Sequence, residues 1–270
     1  MEKQKSRIFC MGDIHGAHKA LVQCLERSGF NKEEDTLIQL GDVVDGWHQV
    51  YECVEELLTI KNLITIKGNH DEWLDTWLFL GNHPTFWNQG GEGTVRSYCE
   101  SLSKLAGDNI FWFTGVPSGY STNLLPSDIP KTHLEFFKNQ KLYFRDHENR
   151  FFVHGGFDRN QYIDYLTATR AYDFYWDRDL WRQAMSCSNG QKLKTVENFK
   201  EIFIGHTATV NDSIDEKGMR DFKPVSSGGV YNLDQGAGWH GKLTIMDVNT
   251  KEYWQSDLVQ DLYPGEKGRK

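Results

Sequence analysis

The chain has 270 residues and nine tryptophans, enough apolar surface to bury a sizeable core, which excludes an intrinsically disordered protein. Its net charge of -8, with histidine neutral, argues against nucleic acid as the main partner, because such binding needs Lys and Arg to neutralise phosphates. A small phosphorylated substrate stays open, since bound dications reverse the local sign.

The opening residues carry basic side chains but no apolar core of about 7–15 residues behind them. No run of about 18 apolar residues follows anywhere, so no membrane partner is expected. Residues 7–11 form a short apolar run ending at Gly12, a first buried strand. Ala17, Ala20, Leu21, Cys24 and Leu25 then share one helical face, and Gly29 stops that helix. Residues 36–40 are a second strand, 50–60 a second helix and 63–66 a third strand closing at Gly68. A third helix runs from about Asp71 to Gly81. This alternation predicts parallel βαβ units with right-handed crossovers.

Residues 82–130 are less regular. A Gly- and Asn-rich loop leads to a short helix over 94–104, and 128–138 is helical with Ile129, His133, Phe136 and Phe137 on one side. The segment reads as a small helical cap inserted into the sheet domain. Residues 141–144 and 150–154 read as strands, 172–185 as a helix and 201–204 as a strand. Residues 229–233, 242–248 and 252–257 read as three antiparallel strands. The tail 264–270 is expected to fray. No linker divides the chain, so residues 1–270 are expected to form one domain of two facing sheets. The five cysteines (Cys10, Cys24, Cys53, Cys99, Cys187) are scattered and odd in number, which suits reduced thiols in a cytoplasmic protein.

Five segments share one grammar: an apolar run, a nearby glycine, then an acid, amide or imidazole. They are G-D-I-H-G (12–16), G-D-V-V-D (41–45), G-N-H-D (68–71), V-H-G-G (153–156) and I-G-H-T (204–207). Each puts a ligand at a strand end, where open α/β sheets carry their sites. Taken singly, each is a common turn. Together, their Asp, Asn and His side chains suit Mn, Fe or Zn, with Asp42 shared between two ions.

On these motifs the chain resembles the calcineurin-like metallophosphoesterase superfamily. Within it, the nearest resemblance is to bacteriophage-lambda-type serine/threonine protein phosphatases and symmetrical diadenosine tetraphosphatases. The similarity runs from Phe9 to about Val248 and includes G-F-N-K-E-E-D-T-L-I, Y-W-D-R near 175–178 and L-D-Q-G-A at 233–237. It implies an α/β fold: a four-layer αββα sandwich of two mixed sheets flanked by helices. It implies that Asp13 and His15 bind a first metal with Asp42, and that Asp42 bridges to a second completed by Asn69, His154 and His206. Two divalent ions, manganese first with iron or zinc as alternatives, would supply the hydroxide for in-line attack on phosphorus. His70 would be the acid for the leaving group and Asp45 its orienter; the bland alternative for His70 is a helix-start residue with no role.

One departure stands out. The family pattern V-D-R-G is here Val44-Asp45-Gly46-Trp47, so a phosphate-clamping arginine is missing. Arg178 and Asn69 are the expected substrate contacts, the alternative for Arg178 being a surface ion pair with Asp177 or Asp179. Trp47 is either a stacking platform or core, and Arg96 is a poorer phosphate candidate. The expected function is a phosphomonoesterase acting on phosphoserine or phosphothreonine in protein. Alternatives are a diadenosine tetraphosphatase or other small phosphodiester or anhydride hydrolase, and a non-catalytic metal-binding module. The oligomeric state stays open.

Overall fold

The computed structural model describes residues 6–81, 87–106, 111–113, 120–188, 190–209 and 220–269. The first half alternates as expected: β1 (Ile8–Met11), α1 (His18–Arg27), β2 (Thr36–Gln39), α2 (Val50–Leu58), β3 (Asn62–Thr65) and α3 (Asn69–Leu80). β1, β2 and β3 pair in parallel. α1 lays Ala20, Leu21, Cys24 and Leu25 on the sheet. α3 begins two residues before the expected Asp71, because Asp71 is its third residue and its carboxylate takes the Gly68 N–H at 2.9 Å. Asn69 and His70 are therefore first-turn residues of a helix.

Next come α4 (Gly91–Ala106), the two-stranded ribbon β4 (Phe111–Phe113) and β5 (Tyr120–Thr122), and α5 (Lys131–Lys138). Parts of the expected 82–130 cap (82–86, 107–110, 114–119) lie outside the described residues. The described part holds a ribbon as well as helices. α4 joins the main core, with Val95, Tyr98 and Cys99 packed in the same cluster as α1 and α2. The helix expected over 128–138 starts only after Pro130, because the residue before a proline is driven out of the helical region; Ile129 has ψ 131°. Ile129, His133, Phe136 and Phe137 are buried as their spacing predicted.

The second half contains β6 (Tyr143–Arg145), β7 (Arg150–Val153), α6 (Ile163–Thr169), α7 (Asp173–Trp176), α8 (Asp179–Met185), β8 (Glu201–Ile204), β9 (Val225–Ser227), β10 (Val230–Asn232), β11 (Thr244–Asp247), β12 (Tyr253–Gln255) and α9 (Val259–Leu262). The helix expected over 172–185 is broken. Asp177 is extended, and its carboxylate accepts the Leu180 N–H at 2.9 Å to start α8 afresh, which leaves Arg178 at the break.

Two five-stranded mixed sheets result, ordered β12-β11-β1-β2-β3 and β6-β7-β8-β10-β9. The three strands expected as one antiparallel set divide between them. β11 and β12 pair antiparallel in the first sheet, whereas β10 runs parallel to β8 in the second. Local alternation marks a strand but not its sheet. Cys10, Ile38, Leu40 and Met246 from one sheet meet Phe152, Phe203 and Leu233 from the other in a shared apolar layer. The outer faces carry α1, α2 and α4 on one side and α6 and α8 on the other. The order is helices, sheet, sheet, helices.

The segment 264–269, expected to fray, is instead tied back. The Arg269 N–H donates to Gly238 O at 2.7 Å, and Glu266 pairs with His48. Among the described residues, no helix is long and apolar enough to cross a membrane. The five cysteines are thiols rather than disulfides.

Candidate metal centre

β1, β2, β3, β7 and β8 all end at one place. Their C-terminal ends carry Asp13 and His15, Asp42 and Asp45, Asn69 and His70, His154, and His206, every one buried. Asp42 is the hub. Its Oδ2 lies 3.6 Å from His15 Nε2 and 3.4 Å from His154 Nε2. Its Oδ1 accepts the His70 N–H at 2.9 Å. Among the described residues, two groups whose donor atoms lie close enough together to hold an ion share this residue: His15, Asp42 and His70, and Asp42, His154 and His206. Asn69 Oδ1 lies 3.2 Å from His154 Nε2, on the second group. Asp13 lies 4.0 Å from His15 Nε2 and accepts the His206 N–H at 3.1 Å. His70 stands in the first group, whereas the family resemblance implies Asp13 as the ligand beside His15 and Asp42.

The backbone is bent to make this possible. His15, Asp42, Asp45 and His206 all have φ between 50° and 66°, a region that costs a non-glycine residue of the order of 1–3 kcal/mol. Asp71 offsets this at the hub by accepting the N–H groups of Asp42 (2.9 Å) and Val43 (3.0 Å) while holding Gly68. At Gly68 a Cβ would fall 2.1 Å from Asp42 Oδ1.

Each imidazole is aimed. His15 Nδ1 faces the carbonyls of Val44 and Asp45 at 2.9 and 2.8 Å, so it carries the hydrogen and Nε2 presents its lone pair inward. His154 Nδ1 faces Leu40 O at 2.8 Å. His206 Nε2 and His70 Nε2 are buried without hydrogen-bond partners. Burial holds His15 and His206 well below the usual histidine range. It works against His154 too, but the charges of Asp42 and Asp13 raise that ring to about 9. A proton on His154 thus compensates the carboxylates where a metal ion would. Burial also opposes ionisation of Asp42, yet His154 and His70 hold it well below the usual carboxylate range. Burial, then the neighbouring Asp234, pushes Asp13 up.

Beside this hub, His70 Nδ1 lies 2.8 Å from Asp45 Oδ2. Asp45 Oδ1 accepts from Trp87 Nε1 at 2.9 Å and Thr94 Oγ1 at 2.6 Å. Burial pushes Asp45 up to about 8 and His70 down to about 3, so both favour their neutral forms. A proton shared between Oδ2 and Nδ1 leaves the other ring hydrogen on Nε2, facing the hub. Arg178 makes no ion pair with Asp177 or Asp179. Its Nη1 donates to His206 O and Thr207 Oγ1, both at 2.9 Å.

The sequence profile of calcineurin-like phosphoesterases matches residues 6–228. The chain belongs to this family. This phosphoesterase is 23% identical over 294 aligned positions to a symmetrical bis(5'-nucleosyl)-tetraphosphatase from Coxiella burnetii, covering 95% of this chain and 94% of the relative. It is 24% identical over 149 positions to serine/threonine-protein phosphatase 1 of Salmonella typhimurium, covering 52% and 68%. Its fold matches a crystal structure of a cold-active protein-tyrosine phosphatase from a Shewanella species with TM-score 0.54 at 13% identity, over 94% of this chain and 81% of that one. It is accordingly a phosphoric ester hydrolase of a metal-dependent family.

Its own residues fit that chemistry. Carboxylate, amide and imidazole donors converge, two ring nitrogens there lack partners, and the carboxylates Asp13, Asp42 and Asp234 are buried close together. Trp47 belongs to the core: it is buried, stacks on Tyr263 at 4.8 Å and donates Nε1–H to Ala237 O. Arg96 pairs with Glu100 on the exposed surface of α4. Four partners carry no local signal of their role. Asp71 has the pattern of an ordinary helix-start acid, and Asp234 sits within L-D-Q-G-A with nothing beside it to mark a site. Trp87, in the turn before α4, and Thr94, in its first turn, reach Asp45 from 42 and 49 residues away in sequence.

Proposed function

We propose that this phosphoesterase is a binuclear-metal phosphatase that hydrolyses phosphomonoesters, with phosphoserine or phosphothreonine in protein as the first-choice substrate. One observation carries the binuclear reading: a single carboxylate oxygen, Asp42 Oδ2, faces His15 on one side and His154 on the other. Two like-charged ions need an anion between them, and Asp42 is placed to be that anion. Asp13 and His15 would complete one position, and Asn69, His154 and His206 the other. Two divalent ions there, manganese by preference with iron or zinc as alternatives, supply positive charge for the phosphoryl oxygens and acidify water.

The protein's own groups do the rest. Arg178 is aimed by His206 O and Thr207 to take a phosphoryl oxygen, with Asn69 as the second expected substrate contact. His70 Nε2–H faces the hub and donates its proton to the departing oxygen, while Nδ1 draws the proton shared with Asp45. Burial of both groups keeps bulk water out of that relay. We treat residues 1–270 as one catalytic unit, since both sheets contribute, and place it in a reducing compartment, the cytoplasm, on its thiols.

A second reading, a dinucleoside polyphosphate as substrate, is favoured by two observations. The likeness to the tetraphosphatase spans nearly the whole chain. Trp176, 39% exposed, stands edge-on to His206 at 6.0 Å and next to Trp73 at 5.6 Å, a wall on which a base can stack. Manganese-loaded protein should release nitrophenol from para-nitrophenyl phosphate; no turnover with any divalent metal contradicts the phosphatase reading. Parallel assays with a phosphopeptide and diadenosine tetraphosphate rank the two substrates.

A further inference from the structure

Position 46 is glycine, with φ 123°, and the space beside it is filled from far along the chain. Tyr263 stacks on Trp47 and donates its hydroxyl to Gln49 Oε1 at 2.6 Å. Gln260 Nε2 then holds the carbonyls of Tyr263 and Glu266, at 3.3 and 3.0 Å. Gly268 passes so close under Trp47 that a Cβ there would lie 2.8 Å from the indole. Arg269 arrives over Gly46: a Cβ on Gly46 would lie 3.5 Å from Arg269 N, and one on Gly90 would lie 3.1 Å from Arg269 Cγ. Its guanidinium lies over the Trp239 ring at 4.2 Å and reaches the hub, with Nη1 3.2 Å from His15 Nε2.

We propose that Arg269 is a substrate-phosphoryl contact of this site, carried in beside Gly46 by the segment 263–269 and acting together with Arg178. The inference rests on the phosphatase reading above. The Nε of Arg269 is buried without a hydrogen-bond partner, so the guanidinium has donors to spare inside the site. Among the described residues, its hydrogen bond at the hub is to the His15 Nε2 lone pair, which a metal ion would claim. Nη1 would then lose its acceptor, leaving a partly buried cation beside a dication. An anion between them satisfies both, and a phosphoryl group is that anion. Trp239 and Gly238 fix the approach, so little side-chain freedom is lost on binding. Arg178 comes from the loop after α7 and Arg269 from beyond α9, so two separate segments would each bring one guanidinium to a phosphoryl group at the hub.

The test compares wild type, Arg269→Ala and Arg269→Lys, each loaded with manganese. KM and kcat for para-nitrophenyl phosphate are measured, together with the dissociation constant of inorganic phosphate by calorimetry. Arg269→Ala should weaken phosphate binding and raise KM by about tenfold to a hundredfold, with manganese affinity not increased. Arg269→Lys should recover part of this, and guanidinium ion added to the alanine variant should recover more. Unchanged phosphate affinity overturns the proposal. So does tighter manganese binding with faster turnover in Arg269→Ala, which would make the segment a plug. Wild-type protein that neither binds phosphate nor turns over overturns the phosphatase reading instead, so the two failures are distinguishable.

Discussion

His70 Nδ1 and Asp45 Oδ2 lie 2.8 Å apart, with both side chains fully sealed from solvent. Asp45 is itself held by Trp87 and Thr94, so the imidazole cannot turn. If the pair delivers the leaving-group proton, His70→Asn lowers kcat by about a hundredfold to ten-thousandfold while manganese content stays at the wild-type level. Asp45→Asn lowers it too, because the amide cannot take part in the shared proton. Metal analysis beside steady-state kinetics checks this. An unchanged kcat removes His70 from the acid role, and lost metal makes it a ligand, as its place in the first group allows.

Arg178 is aimed rather than paired. Replacing it with alanine removes one charged donor from the site and leaves the His206 carbonyl to water. KM should rise about tenfold, with a smaller fall in kcat. Initial-rate kinetics over a range of substrate concentrations decides it, and an unaltered KM makes Arg178 a brace for the His206 turn.

Gly68→Ala should be costly out of proportion to its size. The added methyl would meet Asp42 Oδ1 at 2.1 Å and Asp42 N at 2.4 Å, and the latter is backbone that cannot swing aside. The expected loss is about 2–3 kcal/mol in urea unfolding, with weaker manganese binding because the hub carboxylate moves. Stability and metal affinity both at wild-type values would show that the Asp42 turn tolerates displacement.

His133 offers a pH test away from the hub. Its Nδ1 faces Tyr98 OH at 2.9 Å and its Nε2 faces Glu55 at 2.7 Å. Burial lowers its pKa below 6.5 although Glu55 opposes this. A group depressed on folding binds its proton more readily in the unfolded chain. Its share of stability is therefore present above pH 6.5 and lost as pH falls below it. The slope attributable to this residue is at most about 1.4 kcal/mol per pH unit. Urea unfolding of wild type and His133→Gln at pH 7 and pH 5 measures it: wild type should lose more stability on acidification. Equal losses would mean that His133 titrates alike folded and unfolded.

The βαβ half was legible because three short apolar runs end in glycine and two helical faces repeat cleanly between them. The ligand candidates were legible for the same reason, since each follows a strand end. What escaped was long-range. Nothing local in residues 229–233 says that this strand joins β8 rather than β11. Nothing in Y-W-D-R says that Asp177 will cap a new helix and leave Arg178 at the break, bonded to His206 O and Thr207. The left-handed backbone at His15, Asp42, Asp45 and His206 is imposed by tertiary bonds such as those from Asp71. The segment after Tyr263 is a chain terminus, which by default frays. It holds its place because Gly268 can slide beneath Trp47 and Arg269 can stack on Trp239.

The most direct measurement is anomalous scattering from crystals soaked in manganese. Two ions about 3.5–4 Å apart should flank the Asp42 carboxylate, one toward His15 and the other toward His154 and His206. A single ion, or two ions with no common ligand and the Asp42 side chain turned from both, would contradict the account.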